Sequence, residues 1–155
     1  MNYITQAGHD TISKQIKILH SVDIANAIKD IERARENGRL DENEEFHQAM
    51  SLKEQIENRI SELKNSLSKC KIFSGVISTD TVGFGSCVTI KDANDKERSL
   101  TLVGSLETDA LAGRISTASP IGSELLGHIV GDIVDVEIPT GFVTYEIISI
   151  TAGKI

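Results

Sequence analysis

Residues 56–70 read IENRISELKNSLSKC, and the architecture is decided there. Ile56, Ile60, Leu63, Leu67 and Cys70 recur at alternating spacings of four and three. That rhythm lines all five along one stripe of an α-helix, the seam of a coiled coil. A helix with one apolar stripe needs a partner to keep the stripe out of water. Upstream, Ile12, Ile16 and Leu19 begin a second stripe, and Ile24, Ile28 and Ile31 continue it. The first proline of the chain is Pro120, so no ring interrupts either segment. Two long helices packed antiparallel are expected. Arms of roughly 25–30 residues, at about 1.5 Å per residue, would be on the order of 40 Å long.

The turn between the arms is legible too. Asn37-Gly38 reads as a helix stop. Asp41 is the expected N-cap of the second helix, with Glu44 three residues on completing a capping box. From Glu36 to Glu45 the chain carries five acids and one base, Arg39. Acids in a first helical turn suit the macrodipole. Crowded carboxylates are also suitable ligands for Mg²⁺. His47 follows with no HExxH spacing and no second histidine nearby, which fits a helix surface rather than a zinc site.

Beyond residue 76 the period changes to two. Val88 and Ile90, Leu100 and Leu102, then Val134, Val136 and Ile138, then Val143, Tyr145 and Ile147 alternate as half-buried strands do. Lys91 to Lys96 is a polar turn, and Pro139-Thr140-Gly141 a tight hairpin loop. One short helix interrupts the strands: Ser119 as N-cap, Pro120 at the first position, Leu125 and Leu126 on the apolar side, Gly127 as the stop. The fold class is therefore α+β, with a hairpin domain over 1–75 and a small β domain over 76–155.

Composition excludes several functions. The formal net charge is −7, contrary to the basic face that duplex DNA binding requires. No stretch approaches the roughly 20 apolar residues of a membrane span. The opening residues MNYITQAGHDTISKQ lack a basic region followed by an apolar one, so a cytoplasmic address is expected. Cys70 and Cys87 fit no metal or redox spacing and read as small buried hydrophobes. Gly83-Phe84-Gly85 precedes a strand and lacks the lysine of a phosphate loop and the third glycine of a dinucleotide site.

Taken together the motifs resemble the GreA/GreB family of bacterial transcript cleavage factors over nearly the whole chain. Thr5-Gln6-Ala7-Gly8 is similar to the family's opening T-x-x-G. Ala34-Arg35-Glu36-Asn37-Gly38, Leu40 and Glu42 through His47 resemble its hairpin-tip signature, A-R-E-x-G-D-L-x-E-N-A-E-Y-H. Val82-Gly83-Phe84-Gly85-Ser86, Leu102-Val103-Gly104-Ser105, Ile115-Ser116, Ser119-Pro120-Ile121-Gly122, Leu125-Leu126-Gly127, Gly131-Asp132-Ile133-Val134 and Pro139-Thr140-Gly141 follow in the family's order.

The resemblance implies an antiparallel coiled coil joined to a domain similar to FK506-binding proteins. It implies bacterial RNA polymerase as the partner, docked around Ser119, Pro120, Ile121 and Gly122. The hairpin would pass down the secondary channel towards the 3′ end of the nascent RNA. There tip carboxylates, Glu42 with Asp41 and Glu44, would assist the polymerase in cleaving backtracked RNA. Glu42 and Asp41 would help hold Mg²⁺ of the polymerase active centre, and only in that complex. No cofactor of its own, no independent enzyme activity, no membrane contact and no sequence-specific DNA contact are implied. One position departs from the family: Arg39 stands where the family has Asp, and arginine neither ligates Mg²⁺ nor loses its charge. Glu44 stands where the family has Ala.

Three rivals are weighed against this expectation. The first is a secondary-channel regulator of polymerase that does not cleave. The second is a peptidyl-prolyl isomerase, suggested by fold analogy alone. Residues 71–155 offer that activity only Phe73, Phe84, Phe142 and Tyr145 as aromatics. The third, a coiled-coil adaptor for another partner, leaves the dense C-terminal motifs unexplained.

Overall fold

The computed structural model describes residues 2–38 and 43–154. Strand β1 spans Asn2–Ile4 and helix α1 Gln6–Ile18. A π-helical turn, Leu19–Asp23, leads into α2, Ile24–Arg35. Helix α3 covers Glu44–Ser68. The strands that follow are β2 (Cys70–Ile72), β3 (Ser86–Lys91), β4 (Glu97–Val103), β5 (Arg114–Ser116), β6 (Ile133–Ile138) and β7 (Gly141–Ala152), with α4 (Pro120–Leu125) between β5 and β6. Two compact units result: His9–Lys69, and Met1–Gly8 together with Cys70–Ile155. Residues 1–8 and 70–75 thus group with the β domain, not with the hairpin as the division at 75/76 had them. The reason is β1, which pairs in parallel with β2 from Asn2↔Cys70 to Ile4↔Ile72.

In the helical unit the arms run antiparallel. Ala27 and Asp30 share one groove with Glu45, Ala49 and Leu52, while Ile16 and His20 share another with Lys64. Ile60 and Leu63 are buried, and Ile56 and Leu67 are half-buried, as the seam requires. The other stripe is less regular. Leu19 to Ile24 is a step of five, where a helix face repeats every three or four residues. The π turn absorbs the extra residue: the Ile24 N–H bonds the Leu19 carbonyl, five residues back. The phase then shifts by one position. Ala27, Ile31 and Ala34 turn inward and are buried. Ile28, expected in the stripe, is instead 41% exposed. Cys70 is also corrected: α3 ends at Ser68, and Cys70 opens β2 rather than closing the helical seam. Burial pushes its thiol above the usual range, and the nearby Glu107 carboxylate pushes the same way. Both effects favour the protonated thiol.

Besides the β1–β2 pair, the β unit holds a five-stranded sheet in the order β5-β4-β3-β7-β6. Within that sheet β4 and β5 run parallel, and the other neighbours are antiparallel. Val88 and Ile90, Leu100 and Leu102, and Val134 and Val136 are all buried on one face, as their alternation demands, with Leu125 of α4 covering them. Fully burying one such side chain contributes about 2 kcal/mol. Ile147 and Ile150 are both buried although three residues apart. A regular strand would send them to opposite faces. The register between β3 and β7 shifts between Thr89 and Ile90, and this bulge returns both to the core. Leu126, expected on the apolar side of α4, is 39% exposed because its backbone has already left the helix (φ −56°, ψ 132°). Among the described residues no helix is long and apolar enough to cross a membrane.

Candidate functional site

At the hairpin turn, α2 frays through backbone bonds from Glu36 to Arg33 and from Asn37 to Ala34, and Gly38 follows at φ 145°. Arg39, Leu40, Asp41 and Glu42 lie outside the described residues. The turn closes on Asn43, and this corrects the expected N-cap: α3 is capped by Asn43, not by Asp41. The Asn43 side-chain oxygen accepts from the Phe46 N–H at 3.1 Å. Its amide nitrogen donates across the hairpin to the Ala34 carbonyl at 2.5 Å. One side chain therefore satisfies an orphan donor of one helix and joins it to the last turn of the other. Glu44 becomes the first helical residue rather than the third, so no capping box forms with it. Phe46 lies half-buried below, with the Arg35 guanidinium 5.8 Å from its ring centre. Glu45 accepts from Asn37 at 3.4 Å. Glu36, Glu44 and Glu45 are exposed.

A second constellation explains Thr5 and Gly8. The Thr5 N–H donates to Glu107 at 3.0 Å, and the Thr5 hydroxyl donates to the other oxygen of the same carboxylate. The Thr5 hydroxyl oxygen in turn accepts from the Gly8 N–H at 2.9 Å. A Cβ at Gly8 would fall within 2.6 Å of the Glu107 carboxylate. The opening motif is thus a seat for one half-buried acid. The threonine and glycine were legible in the sequence; Glu107, about a hundred residues away, was not.

The Ser119–Gly122 segment is built as its sequence suggests. The Ser119 hydroxyl accepts from the Gly122 N–H at 3.0 Å and donates to the Ser116 carbonyl at 2.6 Å. Gly122 is buried, and a Cβ there would stand 2.1 Å from the same carbonyl. Ile121 packs against the core, whereas Pro120 is exposed. The polar groups of Ser119 and the bulk of Gly122 are therefore used within the fold. What the segment offers outward is Pro120 and its neighbours across an open cleft of about 400 Å³, including Glu124, Glu137 and Pro139.

Among the described residues no group of three or more His, Cys, Asp or Glu side chains is arranged to hold a metal ion. His128 does meet a carboxylate, with its Nδ1 3.1 Å from Asp132. The Ile129 N–H also donates to Asp132, at 3.0 Å, and these two bonds hold that carboxyl below its usual range.

Comparison with known proteins covers both units. Residues 2–72 match the family model described as transcription elongation factor, N-terminal. Residues 77–152 match the model described as transcription elongation factor, GreA/GreB, C-term. The transcription elongation factor GreA of Rhodospirillum rubrum is 39% identical over 152 residues, 97% of each chain. That of Helicobacter acinonychis is 38% identical over 145 residues, covering 92% of this chain and 88% of its own. Among solved structures, GreA factor homolog 1 of Thermus thermophilus is 28% identical and covers 98% of this chain and 99% of its own, with a TM-score of 0.44. On the two family models and the GreA sequences, which span hairpin and β unit alike, the chain belongs to the GreA/GreB family of transcription elongation factors.

Proposed function

We propose that this chain binds bacterial RNA polymerase in the cytoplasm and acts through the secondary channel as an accessory factor, not as an enzyme in its own right. The Ser119–Gly122 surface docks the β unit. The hairpin turn reaches the active centre near the 3′ end of a backtracked RNA. The observation that carries this reading is the near-full-length similarity to GreA proteins, together with the Asn43–Ala34 bond that joins the helix ends flanking the acid-rich turn.

The turn residues divide by chemistry. Carboxylates are oxygen donors of the kind Mg²⁺ takes, so Glu42, with Asp41 and Glu44 as neighbours, would complete a metal of the polymerase. Glu42, Asp41 and Glu44 would hold that Mg²⁺ through carboxylate oxygens, and the metal would supply an activated water for hydrolysis. Arg39 opposes this. At an effective dielectric near 20, a unit charge pair at 4 Å is worth about 4 kcal/mol, so replacing −1 by +1 beside the metal weakens its hold substantially. Cleavage stimulation is therefore weak. Arg39 also favours a second reading, a secondary-channel regulator that does not promote cleavage.

One assay separates the two readings. Wild type, Arg39→Asp, Arg39→Ala and Glu42→Ala are added to one backtracked elongation complex at matched polymerase occupancy, and RNA shortening is followed. Weak wild-type cleavage, raised by Arg39→Asp and abolished by Glu42→Ala, supports the cleavage factor. No shortening with wild type or Arg39→Asp, despite full occupancy, supports the regulator. Strong wild-type cleavage indifferent to residues 39 and 42 defeats this assignment of the turn.

A further inference from the structure

The cleft between α4 and the β6–β7 hairpin is lined by Pro120, Ser123, Glu124, Glu137, Ile138 and Pro139. On the neighbouring strand Phe142 stands opposite Glu137 and is 72% exposed. The two acids of this cleft differ from those around them. On the same pair of strands Asp135 accepts from Thr144 at 2.7 Å, and Glu146 lies 3.7 Å from Lys91. Among the described residues neither Glu124 nor Glu137 has a cation within 4.0 Å or a side-chain hydrogen bond. Ser123 turns its hydroxyl back to the Pro120 carbonyl at 3.2 Å.

Two uncompensated carboxylates among prolines, an isoleucine and a phenylalanine repel phosphate and so disfavour RNA. They also disfavour a second copy of this chain, whose formal net charge is −7. They complement a polypeptide that brings cations to an apolar surface. We propose that this cleft receives a segment of bacterial RNA polymerase that presents an arginine or lysine beside an apolar side chain. The apolar residue rests on Pro120, Ile138 and Pro139, and the cation sits between Glu124 and Glu137. This inference rests on the polymerase reading above and assigns the chemistry of its docking surface.

The test is a titration of the labelled full-length chain with bacterial core polymerase at low and moderate salt. Both acids are exposed, so their variants keep the fold, and circular dichroism checks this. The paired variant Glu124→Gln with Glu137→Gln should bind about tenfold more weakly and with a shallower salt dependence. Charge reversal, Glu124→Lys with Glu137→Lys, should weaken binding about a hundredfold, since like charges then face each other. Glutamine variants that bind within about twofold of wild type at both salts would overturn the inference while leaving the polymerase reading intact. Wild type that fails to bind polymerase would overturn both.

Discussion

In the β unit, motif glycines and Ser119 are consumed by the fold; at the hairpin turn, motif acids are left to the solvent. Gly104 and Gly122 exist where a Cβ would collide with a backbone carbonyl 2.1 Å away, of Tyr3 in one case and of Ser116 in the other. Ser119 spends its hydroxyl twice within one turn. At the hairpin turn Asn43 is comparably employed, but the signature acids Glu36 and Glu45 are exposed, and no core requires them. A residue that packing demands says little about chemistry. A residue that packing does not demand, kept in a family's pattern, says more. Likeness to the family in the β unit is thus accounted for by architecture, whereas the exposure of Glu36 and Glu45 is not.

The largest effect that would break this contrast concerns the glycines. Gly104→Ala or Gly122→Ala drives a methyl into a backbone carbonyl, and backbone cannot swing aside. Each should cost about 3 kcal/mol, the upper end of the usual overpacking range, read as a lowered urea midpoint. Gly8→Ala is the internal control. Its methyl meets the flexible end of Glu107, so the cost should be roughly half as large, set by the loss of charge-assisted bonds worth about 1.5 kcal/mol or more. Equal costs at all three positions would mean that the β unit yields more easily than its geometry implies.

A middling effect is expected at Asn43. Asn43→Ala removes the cap of α3 and the bond to Ala34 together, and should cost about 1–2 kcal/mol. Asn43→Asp keeps the acceptor for Phe46 but loses the donor to Ala34, and should fall between the two. Hydrogen exchange at the Phe46 amide reads the cap directly and should speed up in the alanine variant but much less in the aspartate variant. Unchanged exchange in Asn43→Ala would show that the clamp is not what orders the turn.

The same contrast explains what the sequence disclosed. The seam of α3 as far as Leu67, the strand alternation and the Ser119-Pro120 helix start are local patterns, and each is found where its residues predict. Ile28, Leu126 and the β3–β7 register deviate because one extra residue in a π turn, an early helix exit or a bulge rephases everything after it. The five-residue step from Leu19 to Ile24 and the Ile147–Ile150 spacing carried that information. The cap falls on Asn43 and not on the expected Asp41, because asparagine and aspartate cap about equally well and residue type alone did not decide between them. Glu107 and the Glu124–Glu137 pair were not legible. Their partners or neighbours are distant in sequence, and no period announces them.

The smallest effect asks whether an acid of the β unit is architectural in the same sense as its glycines. Asp132 accepts from the Ile129 N–H and from His128, and the first of these does most to hold its carboxyl below the usual range. A carboxyl whose folded pKa lies below its unfolded value, about 3.9, adds stability above that value. The contribution is lost as pH falls through the folded pKa. Asp132→Asn keeps the shape and an acceptor for Ile129 but removes the charge. Wild type should therefore be slightly the more stable at neutral pH, and the two urea midpoints should draw together as acid protonates the wild-type carboxyl. His128→Gln, which weakens one of the two bonds, should show part of the same convergence. A gap between wild type and Asp132→Asn that stays constant from neutral pH into acid would mean that the charge is not what the loop uses. Asp132 would then resemble the exposed acids of the hairpin turn, and the division between the two regions would not extend to this loop.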